Sequence, residues 1–425
     1  MSPARLAEYR GQCEKEYNLL KAKGLKLDMS RGKPGADQLD LSMDMLLNIF
    51  AGRDGLATIN GTDCRNYGLL DGIPEAKQLF CRMLGVPASN IIICGNSSLN
   101  IMYDMIARGM TFGVAGGSKP WSLCEKRKWL CPVPGYDRHF AITELFGFEM
   151  INIPMDENGP DMDMIERLVA EDDTIKGIWC VPLYSNPTGI SYSDETVRRF
   201  AALRPKADDF RIFWDNAYAI HHLTDTPDSI LNIYDEAMKL GNQDIVYIFG
   251  STSKITFPGS GVAMIGASDA NIAHTKKIMS IQTIGHDKLN QLRHVEFFKD
   301  YNGVLEHMKK HRAILEPKFS AVLQKLEADI SPLGIASWNH PHGGYFIAVD
   351  TMDGCAKATV ALCKEAGVIM TDAGATYPYG NDPRDRNIRV APTYPSLPEL
   401  ESAVEVFCAS LKLASCRKAL GEPLI

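Results

Sequence analysis

Two rhythms alternate along this chain. Short apolar runs that stop at glycine or a small polar residue fall at 91–94, 129–133, 175–181, 211–214, 245–249 and 262–265, and read as buried strands. Between them, apolar positions recur at helical spacing over about 5–23, 99–108, 136–146 and 194–203, the first stretch closed by Gly24. Strand–helix alternation of this kind predicts an α/β fold, a mainly parallel sheet covered on both faces. After a long helical stretch over about 304–329 the rhythm changes. A strand at 344–349, a helix at 356–366, a short strand at 387–390 and a final helix predict a smaller α+β domain. The expected division is 1–50 as an N-terminal segment packing with the small domain, 51–320 as the large domain, and 321–425 as the small C-terminal domain.

Composition narrows the class without naming a chemistry. The 425 residues are 45% hydrophobic and 23% charged, an ordinary globular balance with core enough to need no disulfide or metal staple. Net charge is -7, with acids and bases interspersed, so neither nucleic acid nor an anionic membrane is an expected partner. The 11 cysteines contain no C-x-x-C pair, and Cys94, Cys180 and Cys363 sit in apolar runs. Reduced thiols of a cytoplasmic protein are expected, not a disulfide framework or a metal site. The first residues are charged and lack an apolar core segment, so no secretory signal is expected, nor is any apolar span long enough for a bilayer.

The candidate chemistry sits where strands end, which is where open α/β sheets collect ligands. Ser251-Thr252-Ser253-Lys254 follows the strand at 245–249. A partly desolvated lysine there has a lowered amine pKa and can attack a carbonyl to form an imine. Gly95-Asn96-Ser97-Ser98 joins a strand to a helix start. Its hydroxyls and free N–H groups suit a phosphate, and serine equally suits an ordinary N-cap. Tyr136 offers an aromatic face for a planar ring, or simple core packing. Asn186-Pro187-Thr188-Gly189 makes a turn that holds the asparagine amide toward the sheet end. Asp215 ends an apolar strand, where a carboxylate requires a cationic partner, and Tyr218 follows at helical spacing. Arg389, on the short strand at 387–390, can clamp a carboxylate bidentately or remain a solvated surface residue.

In this order, Ser185-Asn186-Pro187-Thr188-Gly189, Asp215-Asn216-Ala217-Tyr218, Ser251-Thr252-Ser253-Lys254 and the late Arg389 resemble the fold type I pyridoxal phosphate enzymes, specifically class I/II aminotransferases. The resemblance runs from about Leu27 to the C-terminus. Residues 95–100, 252–256 and 283–288 are similar to the aspartate aminotransferase subgroup related to MocR-type aminotransferase domains. The resemblance implies a large domain with a mainly parallel seven-stranded sheet, pyridoxal 5'-phosphate as cofactor, and a homodimer with shared active sites. It implies ping-pong exchange of the amino group between L-aspartate and 2-oxoglutarate, giving oxaloacetate and L-glutamate.

Position by position, it implies that Lys254 holds the cofactor covalently and then acts as general base. Asp215 would face the pyridine nitrogen, Asn186 and Tyr218 the phenolic oxygen, and Tyr136 the ring face. Ser97, Ser98, Ser251 and Ser253 would hold the phosphate, with Tyr67 reaching it from a second subunit. Arg389 would bind the substrate α-carboxylate beside Gly32. The distal carboxylate of aspartate needs a further cation, for which Lys288, from across a dimer interface, is a candidate, as are Arg31 and Lys33. One departure stands out: the arginine that most relatives carry shortly after the lysine is missing from 255–262. Two other readings share these residues. One is different chemistry on the same cofactor, such as a broad aromatic or kynurenine aminotransferase or a β-lyase. The other is a cofactor-sensing regulator, disfavoured by the expectation that about thirty residues before Asp28 are too few for a DNA-binding module.

Overall fold

The computed structural model describes residues 2–47, 49–51 and 55–424. Its strands are β1 (Leu27–Asp28), β2 (Ile91–Ile93), β3 (Lys128–Val133), β4 (Glu149–Asp156), β5 (Gly159–Pro160), β6 (Ile175–Cys180), β7 (Arg211–Asp215), β8 (Val246–Ser251), β9 (Ala263–Ala267), β10 (Ala336–Trp338), β11 (Ile347–Thr351), β12 (Val368–Ile369) and β13 (Asn387–Val390). The large sheet runs β2-β9-β8-β7-β6-β3-β4-β5. The five central strands from β8 to β4 are parallel, and β9 runs against both of its neighbours. The expected seven-stranded sheet is thus present, extended by the two-residue β5 paired antiparallel to the end of β4.

Both faces of this sheet are covered, and successive residues alternate between two cores. Ile178, Ile212, Trp214 and Ile248 point into one layer. Trp179, Phe213, Tyr247 and Phe249 point into the other. Because β6, β7 and β8 are parallel and in register (Cys180↔Trp214, Asp215↔Phe249), their carboxyl ends open on one edge.

Sequence pattern missed β4 and the helix Met162–Glu171 that follows it. The reason is physical. Near the sheet's edge, β4 buries little beyond Met150 and Ile153 and carries Pro154, so its apolar signal is diluted. The strand expected at 344–349 is displaced to 347–351. Residues 343–344 are held out of the ladder: Gly344 adopts φ +85° and donates its N–H to the His221 carbonyl at 2.9 Å. A Cβ at Gly343 would lie 2.3 Å from the Tyr184 ring.

The remaining strands form a smaller unit. β11 pairs antiparallel with β10 and β13, and β1 pairs parallel with β12. The N-terminal helix Pro3–Lys21 buries Cys13, Tyr17 and Leu20 in the same core as the C-terminal helix Leu397–Leu420. The helix Tyr301–Asp329 ties the two cores together, giving Val304 and Met308 to one and Leu315, Phe319, Val322 and Leu326 to the other. Among the described residues no helix is long and apolar enough to cross a membrane, and no cluster of three or more His, Cys, Asp or Glu side chains suits a metal.

Candidate active site

A cavity of about 700 Å³ lies at the carboxyl edge of β6, β7 and β8. Thirteen of the residues singled out above line it: Arg31, Gly32, Lys33, Ser97, Ser98, Tyr136 and Asn186, together with Asp215, Tyr218, Ser251, Ser253, Lys254 and Arg389. Residues that span nearly the whole chain therefore meet in one place.

Lys254 stands in the turn after β8 rather than on the strand. Its Nζ lies 5.0 Å from the centre of the Tyr218 ring and 5.8 Å from that of Tyr345. Burial lowers its pKa against the opposing pull of Asp215. The amine therefore loses its proton at a lower pH than a surface lysine would, as a carbonyl nucleophile or a base requires.

Asp215 is buried at the end of β7, and its side-chain hydrogen-bond partner is a residue the sequence reading missed. His139 Nε2 lies 3.1 Å from Asp215 Oδ2. The His139 ring stacks on Trp179 with centroids 4.5 Å apart and planes 13° apart. The available signal was spacing: His139 stands one helical turn beyond Tyr136, in the helix Asp137–Leu145. The other oxygen, Asp215 Oδ1, is buried and has no hydrogen-bond partner. A buried carboxylate oxygen left unpaired is costly, and here the carboxylate lines the cavity.

The hydroxyl cup sits at the start of the helix Ser98–Phe112. Ser97 occupies the N-cap, yet its side chain makes no capping bond, so the first-turn N–H groups stay available for an anion. Ser251 Oγ donates to Ser253 Oγ at 3.1 Å, and Ser253 Oγ to the Asn96 carbonyl at 2.9 Å. Asn96 Nδ2 in turn holds the Pro258 carbonyl at 3.0 Å. Pro258 lines the cavity in the segment where the family's arginine is missing. The unassigned cation Arg138 lines it as well, beside Arg31 and Lys33.

Opposite Lys254, Arg389 is buried against the Phe346 ring, its guanidinium 4.9 Å from the ring centre. Its Nη1 donates to Asp137 Oδ1 at 2.8 Å and to Asn186 Oδ1 at 3.3 Å. Asn186 thus spends its carbonyl on Arg389, and its NH₂ is the half left for a ligand. Asp137 is the second residue that sequence reading missed. Burial pushes the Tyr136 phenol up to about 12, with the Asp137 and Asp215 charges adding to the rise. Burial also raises Tyr218 well above the ordinary phenol value, so both hydroxyls keep their protons and can donate.

Two expected residues do not join this cavity. Tyr67 is 79% exposed, and Lys288 is buried at the start of the helix Lys288–Phe298, where its Nζ donates to the Gly68 carbonyl at 3.2 Å. Lys288 thus touches the residue that follows Tyr67, and neither lines the cavity of their own chain.

The residues present suit a phosphorylated pyridine aldehyde. An orphaned carboxylate oxygen matches a ring N–H, an amine of lowered pKa matches the aldehyde, and a helix N-terminus with hydroxyls matches the phosphate. This fold and this placement of a lysine at the strand ends define the fold type I class of aminotransferases. A model of the family described as aspartate amino-transferase matches residues 1–422, and the chain belongs to that family. It is 48% identical to a putative aminotransferase of Mycolicibacterium smegmatis over 98% of this chain and 97% of that one. It is 43% identical to an aspartate aminotransferase of Corynebacterium glutamicum, over 97% of this chain and 94% of the relative. The crystal structure of an aspartate transaminase from Corynebacterium glutamicum superposes with a TM-score of 0.95 at 42% identity, covering 98% of each chain.

Proposed function

We propose that the chain is a pyridoxal 5'-phosphate-dependent aspartate aminotransferase, exchanging the amino group between L-aspartate and 2-oxoglutarate by a ping-pong route. The observation that carries this reading is the pairing, across one cavity, of a desolvated Lys254 amine and the unpartnered Asp215 Oδ1. When bound, the cofactor ring supplies an electron sink for the pair left behind as the substrate Cα–H bond breaks.

The chain's own groups do the rest. Arg389 holds the α-carboxylate in place of Asp137. Asp215, oriented by His139, would accept the ring N–H and keep that nitrogen charged. Asn186 and Tyr218 would donate to the phenolic oxygen, and Tyr136 would cover the ring. Ser97, Ser98, Ser251 and Ser253 would hold the phosphate. The neutral Lys254 amine, its pKa lowered by burial, would take the substrate Cα proton and deliver it to a different carbon, on the cofactor side, rather than back to Cα.

Family membership supports a cytoplasmic homodimer. In it, Tyr67 from a second copy reaches the phosphate and Lys288 from that copy meets the distal carboxylate, with Arg31 and Lys33 contributed by the same chain. The exposure of Tyr67 and the contact of Lys288 with the adjoining Gly68 support this assignment. Thiols buried within the fold, among them Cys131, Cys180 and Cys363, are reduced, which supports a reducing compartment. We assign 1–50, 51–320 and 321–425 as N-terminal segment, large domain and small domain, with the helix Tyr301–Asp329 bridging the last two.

The test is borohydride reduction of the cofactor-loaded enzyme followed by peptide mapping, together with glutamate release from 2-oxoglutarate and a panel of amino acids. The label belongs on Lys254, and aspartate should outrun aromatic amino acids. A label elsewhere, or no preference for aspartate, removes the reading.

A further inference from the structure

Behind the cavity, the turn that carries Lys254 is gripped by uncharged polar side chains from three distant elements. The Tyr345 hydroxyl donates to the Lys254 carbonyl at 3.3 Å. His307 Nε2 and His311 Nε2 both reach the Ile255 carbonyl, at 2.8 and 2.9 Å. These histidines lie four residues apart on one face of the helix Tyr301–Asp329. Gln38, wholly buried, joins the two grips: its Nε2 donates to Tyr345 Oη and contacts His311 Nδ1, each at 3.0 Å. Its Oε1 accepts the Gly35 N–H at 3.2 Å.

The protonation pattern follows from the donors. Gln38 Nε2 carries only donors, so His311 Nδ1 must be the acceptor, and the His311 proton sits on Nε2, aimed at Ile255. His307 donates to the same carbonyl, whose two lone pairs accommodate both. An added proton on His311 Nδ1 would face the Gln38 amide. Burial, with His307 adding to it, pushes the His311 pKa down to about 4, and burial lowers His307 too, which agrees with two neutral rings. Neither the Lys254 nor the Ile255 peptide belongs to a strand or helix ladder, so these side chains hold carbonyls that secondary structure leaves free.

We infer that Tyr345, His307, His311 and Gln38 form a positioning clamp that fixes the two consecutive peptides from Lys254 to Thr256 and thereby aims the lysine amine. Through Gln38, the clamp ties that aim to the N-terminal segment that brings Gly32 to the cavity. A Cβ at Gly32 would lie 2.2 Å from Phe346, the residue after Tyr345, so the segment and the clamp share a wall. The inference rests on the cofactor reading above, since aiming the amine matters only if Lys254 reacts.

The test uses cofactor-loaded enzyme and three variants. Tyr345→Phe keeps the ring and removes the bond to Lys254; His311→Leu removes one of the two donors to Ile255; His311→Gln restores an N–H there. Read for each are the pH midpoint of the visible absorption change, kcat, KM for L-aspartate and the thermal midpoint. Misaiming a reacting group by about an ångström costs up to roughly 100-fold in rate. Tyr345→Phe and His311→Leu should therefore shift the spectroscopic midpoint and lower kcat about 10- to 100-fold, with KM nearly unchanged. His311→Gln should recover most of the loss. Variants that lower only the thermal midpoint, or leave both kcat and the spectrum as in the parent, overturn the clamp. If His311→Leu does not fold, the volume-conserving Tyr345→Phe decides alone. A parent enzyme with no visible band, or one not labelled at Lys254, sinks the cofactor reading first, an outcome distinct from a normal band that the variants leave untouched.

Discussion

Arg389 answers to two anions. Its Nη1 is held by Asp137 at 2.8 Å, and the guanidinium is otherwise walled in by Phe346 and Asn186. On the role proposed for Arg389, a substrate carboxylate would displace Asp137 from the fork. The Asp137 side chain is 32% exposed, so the pair is partly solvated and worth about 1 kcal/mol, roughly fivefold in an equilibrium constant. Asp137→Asn removes the competing charge while keeping the shape. Its KM for L-aspartate is expected to fall by about two- to fivefold, with kcat little changed; steady-state kinetics at fixed 2-oxoglutarate check this. A raised KM would instead assign Asp137 to orienting Arg389. The residue scale also marks the limit of what the chain revealed. Lys254, Asp215 and Asn186 were legible because each follows an apolar strand, and the ends of parallel strands converge. Asp137, His139, His311 and Gln38 lie inside helices, where a polar residue looks like any solvated helix position until the tertiary packing is known.

At the scale of elements, the site depends on how closely β6 approaches its neighbours. Gly177 lies midway along β6, where a Cβ would stand 2.5 Å from the Trp129 ring and 2.6 Å from the Arg211 carbonyl. Trp129 packs against Trp179, centroids 5.2 Å apart, and Trp179 carries the stacked His139. A methyl at 177 thus pushes on the aromatic layer that orients the Asp215 partner. Gly177→Ala is expected to destabilise the chain by about 1–3 kcal/mol, the usual cost of overpacking a filled core, measured by urea unfolding. Activity should fall with it, because His139 moves. A neutral change in stability would mean that the Trp129 ring yields freely. Elements explain the other gaps in the sequence reading as well. The fully buried central strands announced themselves as unbroken apolar runs. The more peripheral β4 alternates and contains a proline, so its pattern resembled a loop, and β11 starts late because glycines at 343 and 344 are needed for the approach to Tyr184.

At the scale of the whole molecule, the cavity is incomplete within one chain if the proposed dimer is right, and this can be tested without an assembly structure. Lys254 and Arg389 face the cavity of their own chain, whereas Tyr67 and Lys288, which contacts the adjoining Gly68, do not line it. A two-fold dimer would carry each such pair to the other copy's cavity. Lys254→Ala disables a chain's own site, and Lys288→Ala would disable its neighbour's. Neither homodimer should transaminate aspartate efficiently. Subunits of the two variants, mixed, denatured and refolded together, should form hybrids in which one site combines an intact Lys254 with an intact Lys288, while the other site lacks both. With random pairing half the dimers are hybrids, and half of their sites are complete, so activity should recover to about a quarter of the parent value. Because Lys288 is buried against Gly68, a local structural defect would lower the Lys288→Ala chain's own site as well, and mixing would then restore nothing. Recovery near a quarter assigns Lys288 across the interface, whereas a Lys288→Ala homodimer that keeps its aspartate activity leaves the distal carboxylate to Arg31 and Lys33 of the same chain.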